Sequence, residues 1–275
     1  MKDKLKKIIE WCGISFAPKR KGTRIYSVGL PRSGTKSIAD ILSPFVPAEH
    51  EPLHKETITH LLNWKRGQCS RREIKEFLKR RDERLGLKAE SSHFMHYFID
   101  EIKDIFDDVF FIMTVREPMG WIESEFNQNI KTRNLEYWRN LEKYRYKRYE
   151  NKYKIKELKS IENVYPIKSY LDYWQSHVKN VFSSTSKKER KIINTYRLSE
   201  KVNEILKVSG VEGNISKIEN KRSNKSSGKP KIYKYISKKE LSKMIKNHQC
   251  IEVINKRLNI LVGDMEYLSS SSEIN

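Results

Sequence analysis

The sequence contains few cysteines and no long apolar run. Its three cysteines, Cys12, Cys69 and Cys250, are far apart, and none belongs to a C-x-x-C pair. This pattern predicts neither a disulfide framework nor a zinc knuckle, and it fits a reducing compartment such as the cytoplasm. No run of about 18 apolar residues occurs, which removes the usual signal for a transmembrane helix.

The N-terminal segment also lacks an apolar stretch long enough for a secretory signal. Residues 1–22 are therefore expected to be a solvated leader that packs on the domain. A short amphipathic helix that contacts a membrane surface is the alternative, because apolar residues alternate here with lysines. These apolar residues are Leu5, Ile8, Ile9 and Trp11.

Acidic residues are scarce relative to basic ones. The 275 residues include 56 Lys and Arg against 35 Asp and Glu, a net charge of +21. Such a surface concentrates anions near the protein. Nucleotides, sulfated glycans, nucleic acids and anionic lipids are all anions, and solvated lysines on helix faces produce the same composition. The charge by itself therefore selects no partner.

Four segments share one pattern, an extended apolar or β-branched run followed by helical periodicity. They cover residues 24–28, 86–89, 109–115 and 191–195. Strands that alternate with helices form a parallel sheet covered on both faces, and such sheets bind ligands beyond the carboxyl ends of the strands. The sequence therefore predicts an α/β fold in which the residues that follow these strands converge.

Composition predicts the limits of this domain. One α/β domain is expected over residues 23–265, with a helical lid inserted at 127–165, where Arg, Lys, Tyr and Trp crowd without a strand pattern. Residues 209–231 are rich in Gly, Ser, Asn and Lys and predict a long polar loop. Residues 266–275 are expected to be a disordered tail.

The most informative stretch follows the first strand and contains Pro31-Arg32-Ser33-Gly34-Thr35-Lys36-Ser37. A Gly-bearing loop that opens a helix directs backbone N–H groups and a helix N-terminus at one spot, which is how proteins hold phosphate-like anions. The Walker A pattern has Lys directly after its second Gly, whereas Thr35 separates Gly34 from Lys36 here. This displacement argues against an ordinary ATPase or kinase.

The segment Pro31 to Thr35 resembles the phosphosulfate loop of the sulfotransferases that use 3′-phosphoadenosine 5′-phosphosulfate (PAPS). In that family the loop has Pro, then Lys or Arg, then Ser or Thr, then Gly-Thr. The resemblance implies a P-loop NTPase-like parallel sheet flanked by helices. It also implies that the 5′-phosphosulfate is held by Arg32, by the amides of residues 33–37 and by the hydroxyls of Thr35 and Ser37.

A second motif follows the buried strand at 109–115. In the same family an Arg ends this strand, a Pro follows two residues later, and a Ser lies eight residues after the Arg. Arg116, Pro118 and Ser124 reproduce this spacing, and the resemblance assigns Arg116 and Ser124 to the 3′-phosphate of PAPS. The chemistry is suitable, because a guanidinium binds phosphate oxygens bidentately and Pro118 can begin a helix that returns Ser124 to the loop.

Three further matches are less complete. Glu90-Ser91-Ser92 stands where some carbohydrate sulfotransferases have Glu-Lys-Ser, so the usual Lys is absent and Lys36 is the candidate replacement. Arg222 and Lys225 resemble the late basic loop that covers the 3′-phosphate and adenosine, although a solvated loop has the same composition. Tyr196 follows the last strand, as in the family's Tyr-containing segment, or is a core residue.

The segment His50-Glu51-Pro52-Leu53-His54 formally matches the H-E-x-x-H zinc signature. Zinc binding requires both His on one face of a helix. Pro52 disfavours α geometry at Glu51. We therefore expect no metal site.

In sulfotransferases this segment instead supplies the acceptor-side base, which makes Glu51 and His50 the candidates. Pro52 is expected to hold Glu51 extended, which sends the two side chains to opposite sides, and Glu51 is the preferred base. Glu90 is the next candidate. His93 and His96 are interpreted as packing residues.

The resemblance implies in-line transfer of a sulfuryl group from PAPS to a hydroxyl or amine. Arg32 and Lys36 would stabilise the charge that develops on the bridging oxygen, without a metal. The basic, aromatic lid favours a carbohydrate or an already anionic polymer as acceptor, although Tyr and Trp also suit a phenol or a lipid. A P-loop kinase or NTPase and a non-enzymatic binder of nucleic acid or polyanion are the alternatives, and nucleic acid is not the expected partner.

Overall fold

The computed structural model describes residues 22–130, 135–146, 164–210 and 231–258. Its sheet has five strands in the order β2-β3-β1-β4-β5, and every neighbouring pair is parallel. The predicted α/β class is therefore confirmed. The strands are β1 Arg24–Ser27, β2 Ala48–His50, β3 Ala89–Ser91, β4 Val109–Val115 and β5 Arg190–Asn194.

Helices connect these strands and cover both faces of the sheet. A 3₁₀ helix, His93–Phe98, follows β3 directly. The α-helices of the described residues are α1 Thr35–Leu42, α2 His54–Lys65, α3 Arg71–Leu85, α4 Ile99–Ile105, α5 Pro118–Ile130, α6 Glu136–Tyr146, α7 Ile167–Ser184, α8 Val202–Val208, α9 Lys238–Lys246 and α10 Cys250–Arg257.

The core lies on both faces of the neighbouring strands β1 and β4. Successive side chains of a strand point to opposite faces. Tyr26, Phe111 and Met113 accordingly belong to one buried apolar cluster, whereas Ile25 and Ile112 belong to the other. Because both faces are covered, β4 is apolar at every position but Thr114, which is why its sequence predicts a strand so clearly.

The second predicted strand, residues 86–89, is displaced. Gly86 caps the C-terminus of α3 with a φ of 61°, and β3 begins only at Ala89. Glu90 therefore lies inside the strand and not after it. The edge strand β2 was not predicted, because its three residues follow Pro44 and Pro47 and show no apolar alternation.

The predicted lid at 127–165 is only partly described. Residues 127–130 complete α5, and α6 packs into the core through Trp138, Leu141 and Tyr146, of which the last two are fully buried. Residues 131–134 and 147–163 lie outside the described residues, as do nearly all of the predicted leader and the whole predicted tail.

Candidate functional site

The loop after β1 turns sharply at two residues. Arg32 and Gly34 have φ angles of 60° and 95°, and an added Cβ at Gly34 would lie 2.5 Å from Leu198 Cδ1. Gly34 is also the N-cap of α1 and provides no side-chain cap to its first turn. A helix N-terminus of this kind can bind an anion through its backbone N–H groups.

Ser33, whose amide is predicted to hold the phosphosulfate, makes its hydrogen bonds within the protein. It is fully buried, its hydroxyl donates to the Leu30 carbonyl at 2.5 Å, and its N–H donates to the same oxygen at 3.2 Å. The Ser33 carbonyl accepts a hydrogen bond from Thr195 Oγ1 at 2.6 Å. Ser33 therefore shapes the loop and ties it to the end of β5.

The two sequence motifs meet in space. Arg32 Nε donates to Ser124 Oγ at 3.4 Å, and Arg116 Nε donates to the Tyr196 hydroxyl at 3.0 Å. The pairing of Val115 with Asn194 brings the ends of β4 and β5 side by side. Pro118 begins α5, and the second turn of this helix returns Ser124 to the loop.

Two buried indoles that sequence reasoning did not single out hold the backbone of these motifs. Trp121 Nε1 donates to the Pro31 carbonyl at 2.8 Å, and Trp174 Nε1 donates to the Arg116 carbonyl at 3.0 Å. Both rings are fully buried. Since each bond spans a long stretch of sequence, no local pattern indicates it.

Glu117 was also missed. The residue is 5% exposed. Its carboxylate accepts the Gly120 N–H with both oxygens at 2.9 and 2.8 Å, and accepts the Tyr196 hydroxyl at 3.0 Å. Burial raises the pKa of Glu117 to about 7, against the lowering effect of these hydrogen bonds and of Arg116. The position directly before a helix-starting Pro118 is a cap signal that could have identified it.

Glu51 does not have the extended backbone expected from Pro52. Its φ is 52°, and that of Leu53 is 50°, so this expectation is wrong. The Glu51 N–H donates to the Ser91 carbonyl at 3.0 Å, and Arg81 Nη2 donates to the Pro52 carbonyl at 2.7 Å. These tertiary contacts outweigh the local preference of a residue before proline.

The His50 and Glu51 side chains lie together and not on opposite sides. His50 Nε2 is 3.7 Å from Glu51 Oε1 and 3.2 Å from Thr35 Oγ1 of the loop after β1, residues 31–37, called the anion loop. Burial lowers the pKa of His50, and Lys36 adds to that effect while Glu51 opposes it. A neutral imidazole can accept a proton, so His50 is chemically able to act as a base. Both candidate bases therefore lie beside the loop.

Lys36 and Glu90 are already engaged by other groups. Lys36 is exposed on α1, and its Nζ lies 2.9 Å from both carboxylate oxygens of Asp40. Glu90 is buried and accepts two hydrogen bonds from Arg81, at 2.5 and 2.8 Å. A base role for Glu90 would require this buried ion pair to break, which makes it the poorest of the three candidate bases.

The formal zinc motif does not form one helical face. His50 lies in β2, and α2 begins only at His54. His54 Nδ1 is 3.0 Å from the Glu51 carbonyl and its Nε2 is 3.0 Å from the Tyr137 hydroxyl. Among the residues that the structure describes, no group of three His, Cys, Asp or Glu side chains could hold a metal ion.

Other predicted residues fall into two cases. His96 is a packing residue as interpreted, since it is buried and its ring centroid lies 3.8 Å from those of Tyr97 and His177. Arg222 and Lys225 lie outside the described residues. Within the described ranges no helix is both long and apolar enough to cross a bilayer.

Comparisons with known proteins show the family and the fold. The family model described as "Sulfotransferase domain" matches residues 24–201, well over half of the chain. The crystal structure of a sulfotransferase from Alicyclobacillus acidocaldarius is similar with a TM-score of 0.51 at 13% identity, over 89% of this chain and 97% of that one. The fold of the two chains is therefore the same.

A second solved structure is the sulfotransferase domain of the Synechococcus PCC 7002 olefin synthase. It has a TM-score of 0.39 at 12% identity, over 85% of this chain and 91% of that one. No curated protein sequence matches the chain.

Proposed function

The chain belongs to the sulfotransferase family, and from this premise we propose that it transfers a sulfuryl group from PAPS to a hydroxyl or amine of an acceptor. The observation that carries the proposal is the meeting of the two anion motifs, residues 31–37 and residues 116–124. Arg32 of the first motif contacts Ser124 of the second at 3.4 Å. One ligand with anionic groups at two places can therefore touch both motifs.

The donor set suits PAPS chemically. Arg32 and the uncapped N-terminus of α1 would hold the 5′-phosphosulfate, since both favour anionic oxygens. Arg116, Ser124 and Tyr196 would hold the 3′-phosphate. Glu117 is compatible with a nearby phosphate because its raised pKa allows it to be protonated at neutral pH.

The chain's own residues supply the proton chemistry. PAPS supplies the sulfuryl group and leaves as 3′-phosphoadenosine 5′-phosphate (PAP). Glu51 is the proposed base that takes the acceptor proton, and His50 is the alternative, since both lie beside Thr35 or its contacts. Arg32 and the α1 amides would stabilise the charge on the bridging oxygen, and Lys36 would join them by leaving Asp40.

We propose a carbohydrate as the acceptor, supported by the crowding of Arg, Lys, Tyr and Trp at residues 127–165. The cysteine usage supports the cytoplasm as the compartment. Contact of residues 1–22 with a membrane surface is an alternative role for that segment. Since a sulfuryl group carries less charge than a phosphoryl group, cationic side chains are proposed to suffice without Mg²⁺.

Calorimetry tests the donor and turnover tests the base. PAP should bind far more tightly than AMP, and sulfuryl transfer from PAPS to a panel of sugars, phenols and amines should identify the acceptor.

Glu51→Gln should lower turnover by about 10²–10⁴-fold with little change in PAP affinity. If His50→Ala does so instead, their roles are exchanged. ATP and Mg²⁺ dependence without PAP binding would overturn the proposal in favour of a kinase or NTPase.

A further inference from the structure

A buried histidine outside the proposed mechanism contacts the proposed base. His93 Nδ1 lies 2.6 Å from Glu51 Oε1, and the His93 side chain is 4% exposed against 18% for Glu51. We propose that His93 is a positioning residue, which donates its Nδ1–H to Glu51 and holds the carboxylate toward the acceptor. This inference rests on the proposed function, because it takes Glu51 as the base of sulfuryl transfer.

The backbone of the Glu51 turn is held separately. Glu51 and Leu53 are both in the left-handed region, a conformation that non-glycine residues keep only where their surroundings over-determine it. The Ser91 carbonyl binds the Glu51 N–H, and Arg81 binds the Pro52 carbonyl. These bonds fix the main chain at Glu51 but leave its side-chain torsions free, so the orientation of the carboxylate depends on side-chain contacts.

His93 is rigid enough to supply such a contact. It begins the 3₁₀ helix directly after β3. Its ring stacks on Trp138 of α6 with centroids 5.8 Å apart and an interplanar angle of 12°, and it meets Phe94 edge-on at 5.2 Å. Trp138 also stacks on His54, at the start of α2, with centroids 5.7 Å apart. The imidazole is therefore packed between Trp138 of α6 and Phe94 of its own 3₁₀ helix.

Exposure distinguishes this role from a catalytic one. The His93 side chain is almost wholly buried, whereas that of His50, which contacts the anion loop at Thr35, is 29% exposed. An acceptor can reach His50 and Glu51 but not the buried ring of His93. Because Glu51 Oε1 accepts the bond, the Nδ1 atom carries the proton in this pair.

Two substitutions separate the hydrogen bond from the packing. His93→Phe keeps a ring against Trp138 and loses the donor, while His93→Asn keeps an N–H near the Nδ1 position and loses the ring. We expect His93→Phe to lower turnover by about 10²-fold, the scale for a misplaced reacting group, with PAP affinity unchanged in calorimetry. His93→Asn should recover most of that loss. His96→Phe, the same change one turn along the same 3₁₀ helix, should keep wild-type turnover.

A double-mutant cycle with Glu51→Gln shows whether His93 acts through Glu51. If it does, the double variant Glu51→Gln/His93→Phe turns over no more slowly than Glu51→Gln alone, and the same cycle shows coupling in the free energy of unfolding. The Nδ1–H proton signal of His93 in NMR should also shift in Glu51→Gln. That variant leaves the ring contacts intact, so this readout does not depend on the folding of His93→Phe.

Three results overturn the inference alone while the wild type is active: normal turnover of His93→Phe, equal losses in His93→Phe and His93→Asn, or additive losses in the cycle. A wild type that binds no PAP and transfers no sulfuryl group overturns the proposed function, and the inference with it. Coupling in unfolding or in the NMR signal would then report a structural His93–Glu51 contact only.

Discussion

At the scale of residues, the two arginines reach the site in different ways. Arg32 stands in a left-handed turn of the loop and contacts Ser124, whereas Arg116 follows β4 and contacts Tyr196. The family pattern pairs the first with the 5′ end of the nucleotide and the second with the 3′ end. Because the two arginines lie on different segments of the chain, their proposed roles can be tested separately by substitution.

Arg116→Ala should therefore weaken PAP far more than AMP. Loss of a charged hydrogen-bonding partner costs about 1.5–3 kcal/mol of binding free energy. AMP has no 3′-phosphate, so its binding should not lose this interaction. Calorimetry on both nucleotides measures the difference. Equal losses would show that Arg116 does not distinguish the 3′-phosphate.

Glu117 should make the stability of the protein depend on pH. Its pKa is about 7 in the folded protein against an ordinary value of 4.5, so between these values the folded state binds a proton that the unfolded state has lost. The contribution of Glu117 to stability is therefore present below pH 4.5 and declines as pH rises to about 7, by roughly 3 kcal/mol in all.

Urea unfolding of the wild type and of Glu117→Gln, at several pH values from 5 to 8, measures this contribution. The stability of the wild type should fall with pH relative to the variant, which has no proton to lose. Parallel pH dependences in the two proteins would contradict the assignment.

At the scale of elements, α6 is a part of the core. It comes from the segment that composition predicts to be a lid, yet Leu141 and Tyr146 are fully buried and the helix packs against α2 and α7. Through Trp138 it also reaches the histidines next to the proposed base. Its amphipathic burial explains why a basic, aromatic sequence can form a tightly packed helix.

Leu141→Ala should accordingly destabilise the protein by about 2–5 kcal/mol, the range for a leucine removed from a packed core. The same substitution in a mobile lid would reduce the stability of the protein far less. Leu135, directly before α6, is 52% exposed, so Leu135→Ala is the matched control and should change stability by no more than about 0.5 kcal/mol. Denaturant unfolding compares the two.

At the scale of the whole molecule, the strand order makes the site. With β1 between β3 and β4, the anion loop lies between the Glu90-Ser91-Ser92 segment and the Arg116 motif. Parallel strands end at the same edge, so residues from distant parts of the sequence converge there. The site consequently exists only in the folded chain.

A nucleotide that binds this site should therefore stabilise the whole fold. At a free concentration of 100 times its dissociation constant, PAP should add about 2.7 kcal/mol to the free energy of unfolding. AMP at the same concentration should add clearly less. A thermal shift series with both nucleotides tests this, and equal shifts would argue against a site that recognises the 3′-phosphate.

Local signals in the sequence predict the α/β fold, and the resemblance to the PAPS-dependent sulfotransferases predicts both anion motifs. The apolar run of β4, the Gly34 turn and the spacing of Arg116, Pro118 and Ser124 are each contained in a few neighbouring residues. The short edge strand β2 has no such signal, since its pairing with β3 and not its own composition makes it a strand.

Only the tertiary structure decides how the acid–base residues are arranged. Local preference predicts an extended Glu51, but contacts from Ser91 and Arg81 hold its backbone in the left-handed region, and His93 contacts its carboxylate. The raised pKa of Glu117 likewise follows from burial and not from residue type. Conformation and charge at these positions depend on partners far away in sequence, and packing alone brings those partners close enough to compete with local preference.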